Sequence, residues 1–534
     1  MTRITTLLFA GCAILLLFSF ARQRRGSFPV MHRYAEEGHP ADSIAILQVN
    51  PDEGYQTIHS FGASDCWSAK FVGSWRNEAK KNHIADLLFS TKLLPDGSPA
   101  GIGLSLWRFN IGAGSLEQGK ASTIADEYRR EECFLQPDGH YDWNREKGNQ
   151  WFLRAAKIRG VKYLLGFANS APVQFTQNGL AAGLARNELS CRPDKYADYA
   201  GFLTTVAEHF KKEGLPLDYI SPVNEPQWKW GEHANQEGSG ATNAQISTLA
   251  RLIGSQLARA KLAAQVTVAE AAQVQFLYNS NNSMGNQIAD FFSPASANYL
   301  GNVPNIAPVL AYHSYFSTCP DSVLQHTRMS AFRQRQSVDS NLQLWQSEFG
   351  ILGNICGLLN GGPRHTGIDY GLYVATVMHA DLTVAGVTSF QWWLGINPYD
   401  YSDGLVYINA PDGSISPQQS REDGRVSDSK QLWCMGNYAR FVRPGMQRIA
   451  ASVNTDGLLV SAYVDKAKKT ITVVLVNPAE TIAKVQVQPG NRVFAGPSDL
   501  YTTSATENLA HAVSTTNLLV LRGKTVTTLV AHYR

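Results

Sequence analysis

What most constrains this chain is an alternation along its length. Short β-rich runs recur near residues 59–65, 103–112, 162–172, 219–226, 265–273, 309–316, 343–350 and 388–394, with segments of helical period interleaved among them. The clearest helical segment carries Tyr196, Tyr199, Leu203, Val206 and Phe210 at spacings of 3, 4, 3 and 4, which puts all five on one face. Others span 76–90, 144–160, 243–262, 283–293, 322–337, 368–385 and 430–442. Parallel strands need a crossover between them, and a helix of this length supplies it. Eight strands alternating with eight helices therefore predict an α/β fold, a (β/α)8 TIM barrel, whose catalytic groups sit at the carboxyl ends of its strands.

After Arg443-Pro444-Gly445 the pattern turns to pure β. Runs at 470–477, 482–488, 517–521 and 525–531 are β-branched, separated by turns, with no helix-length segment between them. They predict a side β-sandwich, and the strand-like run at 43–49 is placed to join it. The expected division is an amino-terminal strand of the side domain at 43–57, a catalytic barrel at 58–442 and the sandwich at 443–534. Ahead of these lies an apolar run at 7–20, preceded by Arg3. It is too short for a comfortable membrane span and suits the core of an export signal ending near Ala21. Residues 1–21 are thus expected to be a signal peptide, or else an uncleaved anchor, since Arg22, Arg24 and Arg25 follow. The polar stretch 22–42 reads as a linker, and the chain is expected to be exported: secreted, periplasmic or on the cell surface.

Composition narrows the partners. Charged residues make up 17% of the chain, below the usual quarter, and hydrophobic ones 44%, so a large core is affordable and disorder is excluded. The net charge is +3, and the basic residues are scattered rather than clustered, which argues against nucleic acid. No membrane partner is expected beyond the possible anchor, and a monomer is expected. Six cysteines remain after residue 21 (Cys66, Cys133, Cys191, Cys319, Cys356 and Cys434), an even number that permits disulfides in an exported chain without fixing their pairing. No CxxC or HExxH spacing occurs, so neither a structural zinc site nor a redox motif is expected.

Two carboxylates stand out by position. Glu225 ends the fourth strand run in Val-Asn-Glu-Pro, and Glu348 ends the seventh in Trp-Gln-Ser-Glu-Phe-Gly. In a barrel both would converge on one mouth. Glycosidic bond hydrolysis needs one carboxylic acid to protonate the leaving oxygen and one carboxylate across the anomeric carbon. An ionised Glu348 would raise the pKa of Glu225 and keep it protonated. Arg108, in Leu-Trp-Arg-Phe-Asn at the end of the second strand, is placed to hold the nucleophile ionised, and Asn224 to bond the hydroxyl beside the anomeric carbon. His313 and Tyr315 end the sixth strand and would touch the nucleophile or substrate, although a satisfied core histidine is the competing reading. Trp392 and Trp393 cannot both face inward, and Trp392 is taken as the sugar platform. Trp228 and Trp230, just past Glu225, are candidate platforms on the leaving-group side. Glu232, Glu237 and Glu270 are competing carboxylates assigned to solvation or hydrogen bonding.

With Phe61-Gly62-Ala63-Ser64, Arg108, Asn224-Glu225-Pro226, Ser347-Glu348 and Phe441-Val442-Arg443-Pro444-Gly445 in that order, the chain resembles glycoside hydrolase family 30. The resemblance implies Glu225 as acid/base and Glu348 as nucleophile, retention through a covalent glycosyl-enzyme, no metal or organic cofactor, and a polysaccharide or oligosaccharide substrate. Members differ in substrate. The run GLSLWRFNIGAG and the loop after Asn-Glu-Pro look closest to polysaccharide-active bacterial members, so β-1,6-galactan is the leading expectation, with β-1,6-glucan, glucuronoxylan and glucosylceramide as alternatives. Arg421 and Arg425 lie where glucuronoxylan members carry a basic residue, but in no matching motif. The segments around Cys66-Trp67 and 126–133 have no counterpart in the family pattern and are expected to shape the site. A carbohydrate-binding protein on a barrel scaffold is the non-enzymatic alternative.

Overall fold

The computed structural model describes residues 43–231, 235–280 and 283–534. The expected signal segment, the linker and Glu232 lie outside the described residues. The first described strand, β1 (Ile44–Thr57), belongs to the side domain. The eight barrel strands then follow as β2 (Ser60–Ser64), β3 (Leu106–Asn110), β4 (Tyr163–Phe167), β5 (Tyr219–Ser221), β6 (Gln265–Ala271), β7 (Ile306–His313), β8 (Gln343–Glu348) and β9 (Ser389–Asn397). All neighbours are parallel, and β9 pairs with both β2 and β8, which closes the barrel.

Eight principal helices alternate with these strands: α1 (Glu78–Phe89), α2 (Lys147–Ile158), α3 (Tyr196–Lys212), α4 (Asn243–Arg259), α5 (Gln287–Phe292), α6 (Asp321–Val338), α7 (Ile368–Ala380) and α8 (Lys430–Ala439). The five-residue apolar face read in α3 is buried, with Tyr199, Leu203, Val206 and Phe210 at 0% exposure. Helix α4 starts at a capping box in which Thr242 and Gln245 satisfy each other's backbone donors, so its start is written in the sequence. Among the described residues no helix is long and apolar enough to cross a membrane.

An unpredicted hairpin extends the barrel sheet. Strand β10 (Gly404–Asn409) pairs in parallel with the far end of β9, and β11 (Arg425–Asp428) pairs antiparallel with β10. The side domain is a nine-stranded sheet formed by β1 with β12 (Gln447–Val453), β13 (Leu459–Asp465), β14 (Thr470–Asn477), β15 (Ala483–Gln488), β16 (Ser498–Thr503), β17 (Ala510–Ser514), β18 (Leu518–Leu521) and β19 (Thr525–His532). Strand β1 lies antiparallel to β12 on one side and parallel to β15 on the other, so the amino-terminal segment joins the two halves of the sheet.

Strand β14 explains why its sequence, TITVVLVN, is apolar without alternation. Ile471, Val473 and Leu475 fill the side domain's own core, while Val474 and Val476 pack into the barrel's core. The seam is also hydrogen-bonded: the Asn437 amide donates to the Tyr501 carbonyl at 2.9 Å and the Thr528 hydroxyl to the Asn437 carbonyl at 2.7 Å.

Candidate active site

The barrel interior changes character along its axis. One layer is apolar, with Leu106, Leu165, Val309 and Trp345 in a single buried cluster. At the carboxyl ends of the strands the same barrel buries Arg108, Asn224, Glu225, Glu270, His313 and Glu348. Arg108 has no exposed surface and organises this group. Its guanidinium donates to Glu348 Oε2 at 2.6 Å and to Asn224 Oδ1 at 2.8 Å, lies 3.6 Å from Glu270 Oε2, and stacks 3.8 Å from the Phe167 ring centroid. With the Asn224 carbonyl oxygen occupied by Arg108, the Asn224 amide NH2 is what this side chain can offer a hydroxyl.

His313 joins three carboxylates. Its Nδ1 lies 2.9 Å from Glu225 Oε1 and 3.6 Å from Glu348 Oε1, and its Nε2 lies 3.2 Å from Glu270 Oε2. Burial works against its charged form, yet the negative groups around it push its pKa up to about 10, so His313 is a second buried cation. Its orientation is fixed from behind. The flanking Tyr312 and Ser314 hydroxyls donate to Asp381 at 2.7 and 3.1 Å, and Asp381 is held by Arg328 at 2.8 Å. Of the two readings weighed for His313, it is a satisfied buried histidine that also touches the paired carboxylates. Tyr315 donates its hydroxyl to Glu348 Oε1 at 3.1 Å.

The charges then balance. Glu270 is bonded by Ser221 at 3.1 Å and Ser347 at 2.7 Å; burial raises its carboxyl, but Arg108, His313 and Ser347 overcome this and hold it below the ordinary range. Two cations, Arg108 and His313, thus offset two carboxylates, Glu270 and Glu348. Glu225 is the third carboxyl, and its pKa is raised, first by burial and to a lesser degree by the charge of Glu348, against the pull of His313. The sequence reading placed Glu348's charge foremost; burial outweighs it. Glu225 also has a left-handed backbone at φ 45°, as does Glu270 at 43°, and the Glu225 N–H donates to the Glu270 carbonyl at 3.0 Å. Non-glycine residues adopt that conformation only where surrounding structure over-determines it, and such positions concentrate at functional sites.

One donor atom each from Glu225, His313 and Glu348 lies within 4.8 Å of the others. Such a set could hold a cation, but Arg108 already sits on Glu348 and His313 is itself charged, so positive charge is supplied from within. The same measure puts a carboxylate oxygen of Glu225 within 4.8 Å of one of Glu348.

The aromatic expectations divide. Trp392 has no exposed surface; its indole N–H donates to the Asp403 carbonyl at 2.6 Å and its ring meets Phe349 edge-on, so it faces away from the mouth and cannot serve as a platform. Along β9, Phe390 and Trp392 share one side and pack in the core outside the barrel interior, so regular alternation gives the inward place to the next residue; the β-bulge between the β2–β9 pairs Ala63–Trp392 and Ser64–Leu394 comes only after Trp392. Trp393 takes the inward place, edge-on to Trp67 at 5.3 Å. Trp230 donates to the Glu225 carbonyl at 3.1 Å and packs on Gly183 and Gly238, which makes it a support for the acid's turn. Trp228 is half-buried and meets Phe316 edge-on at 6.1 Å.

Both segments without a family counterpart reach the mouth. The Arg129 guanidinium lies 4.9 Å from the ring of Trp67 and 5.8 Å from that of Tyr399, whose hydroxyl donates to Asp126. Glu237 accepts from Ala113 N and from Ser115, the hydrogen-bonding role assigned to it. Beside the site, Asp65 accepts from Asn110 N at 2.8 Å and Glu131 pairs with Lys70 at 3.3 Å; burial pushes their carboxyls up to about 8 and about 7. Sequence reasoning found no cysteine pairing. Cys319 and Cys356 form a disulfide between the loops after β7 and β8, and the other four described cysteines are buried and free.

Comparison with known proteins agrees with this architecture. A model of O-glycosyl hydrolase family 30 matches residues 44–407. The chain is 30% identical, at a TM-score of 0.85, to a conserved exported protein from Bacteroides fragilis, over 91% of this chain and 100% of that one. The catalytic domain of a family 30 xylanase C from Talaromyces cellulolyticus shares the fold at 19% identity and a TM-score of 0.66, covering 91% and 99% of the two chains. An endo-β-1,6-glucanase does so at 17% and 0.62, covering 92% and 94%.

Proposed function

As this chain belongs to O-glycosyl hydrolase family 30 and is a glycosyl hydrolase, we propose that it cleaves a β-linked polysaccharide with net retention, Glu225 serving as acid/base and Glu348 as nucleophile. The observation that carries this reading is the gap between the two carboxylates. Retaining enzymes hold theirs about 5–5.5 Å apart and inverting ones about 6.5–9.5 Å, to admit a water. One oxygen of each carboxylate lies within 4.8 Å of one of the other, which favours the closer, retaining spacing.

In the first step the Glu348 carboxylate attacks the anomeric carbon while Glu225 gives its proton to the departing oxygen. Arg108 and Tyr315 hold the two Glu348 oxygens, so the nucleophile is aimed before substrate arrives. Once the leaving sugar departs, Glu225 is a carboxylate beside His313 and takes a proton from the water that frees the sugar. The Asn224 amide is placed to bond the neighbouring hydroxyl, an interaction that strengthens in the transition state.

A neutral glycan, with β-1,6-galactan first, is the substrate proposed. Arg421 is paired with Glu127 and the Arg425 Nε donates to the Pro411 carbonyl at 2.7 Å, which weighs against either reading a glucuronate branch. Export is proposed from the amino-terminal sequence, supported by the likeness to an exported protein and by the disulfide. The test is a hydrolysis screen of wild type and Glu348→Ala on β-1,6-galactan, β-1,6-glucan, glucuronoxylan and aryl β-glycosides, with products sized. Activity on one polymer that vanishes in the variant is expected; hydrolysis that persists in Glu348→Ala would refute the role of Glu348.

A further inference from the structure

Phe316 is exposed where an aromatic residue gains nothing from the fold. Its side chain is 72% exposed, and its backbone is left-handed at φ 57°. A bulky residue is disfavoured there, and neither burial nor a core contact compensates. Its position is specific. Phe316 follows Tyr315, whose hydroxyl contacts Glu348, and its ring meets that of Trp228, three residues beyond Glu225 in the turn that carries the acid.

The loop that presents Phe316 is fastened on both sides. Arg328 Nη1 donates to the Ser317 carbonyl at 2.6 Å and to the Ser317 hydroxyl at 2.7 Å. Two residues later Cys319 is joined to Cys356, in a loop where Leu352 and Leu358 are also exposed, each at 42%. The ring is therefore held out toward solvent by anchored backbone, as a binding platform needs to be.

We infer that Phe316 and Trp228 form the stacking platform for the sugar on the leaving-group side of the scissile bond. This rests on Glu225 being the acid. The proton donor must stand at the glycosidic oxygen, so the departing sugar lies past Glu225, and the turn bearing Glu225 also supplies Trp228. Sugar rings present apolar C–H faces that pack on aromatic rings, and a ring already exposed and fixed loses little freedom on binding. The same platform holds an acceptor sugar after the first step, so it also sets how the glycosyl-enzyme divides between water and sugar.

The experiment compares two substrates in wild type, Phe316→Ala and Phe316→Trp. One is the polymer that the wild type hydrolyses; the other is the β-glycosyl fluoride of the same sugar, whose leaving atom places no ring on the platform. An aromatic contact of this kind is worth about ten-fold in kcat/KM. The ratio of polymer to fluoride activity should fall by that factor in Phe316→Ala, with transfer to added sugar falling alongside, and return in Phe316→Trp. An unchanged ratio, whether both activities hold or both fall together, would overturn the platform. A wild type that cleaves neither substrate would instead refute the Glu225–Glu348 reading, and the platform with it.

Discussion

The barrel mouth and the side domain bury their interiors in opposite ways. From residue 443 to the carboxyl terminus no charged side chain is buried, and the polar groups that are buried there are hydroxyls and the amide of Asn477. Within a few residues of the barrel strand ends, Asp65, Arg108, Glu225, Glu270, His313 and Glu348 are all buried. Desolvating charge is costly and does not by itself stabilise a fold. A domain that only needs to stand leaves charge outside, as the side domain does. The mouth concentrates it because preorganised charge is what the chemistry requires.

The largest expected effects are on activity at the mouth. Glu348→Gln should lower kcat on the order of 10⁴-fold or more, and Glu225→Gln by about 10²–10⁴-fold, the latter with an unchanged thermal midpoint, read by steady-state kinetics beside calorimetry. Replacing Arg108 by Met should hurt both properties, costing about 3–5 kcal/mol of stability because Glu348 and Glu270 are left buried with His313 as their one remaining cation. Denaturant unfolding would measure it, and a loss below about 1 kcal/mol would dissolve the contrast between the two regions. Leu475→Ala, in the core of the side domain, should cost about 2–5 kcal/mol yet leave kcat/KM per folded molecule unchanged.

A pH effect should belong to the barrel alone. Asp65 and Glu131 have folded pKa values raised to about 8 and about 7 by burial, above those of the unfolded chain. The folded state therefore binds more protons, and their contribution is complete below about pH 4 and lost as pH rises through 7 to 8. The thermal midpoint should fall across that window, and the fall should shrink in Asp65→Asn. The smallest effect is expected at the side domain's surface, where Lys468→Ala, removing an exposed pair with Asp465, should shift stability by less than about 0.5 kcal/mol.

Periodicity made the barrel legible. Helix faces such as Tyr196 to Phe210 and fully buried runs such as 344–348 repeat a physical requirement along the chain, and Glu225 and Glu348 stand out because strand ends are where such groups converge. What escaped depends on packing and on long-range contact. In β9 alternation separates Trp392 from Trp393 without saying which side is inward, and only the packing of Phe390 and Trp392 outside the barrel interior assigns that place to Trp393. Strands β12, β16 and β17 carry mixed polar sequence with partly exposed residues, so no apolar run marks them, and β13, although buried on both faces, has its short run interrupted by Ser461. The place of Glu270 in the charge balance depends on Arg108, Ser221, His313 and Ser347, which are far from it in sequence. Phe316 offered no pattern, since its distinction is exposure. The pairing of Cys319 with Cys356 could not be chosen among the possible combinations without knowing that the loops after β7 and β8 adjoin.

The most direct test of the two-carboxylate assignment is the anomeric configuration of the first product, followed by proton NMR in the opening minutes of hydrolysis, before mutarotation. Appearance of the β-anomer first is the result predicted from the short Glu225–Glu348 gap. Appearance of the α-anomer first would contradict the double displacement, and with it the role given to Glu348 as nucleophile.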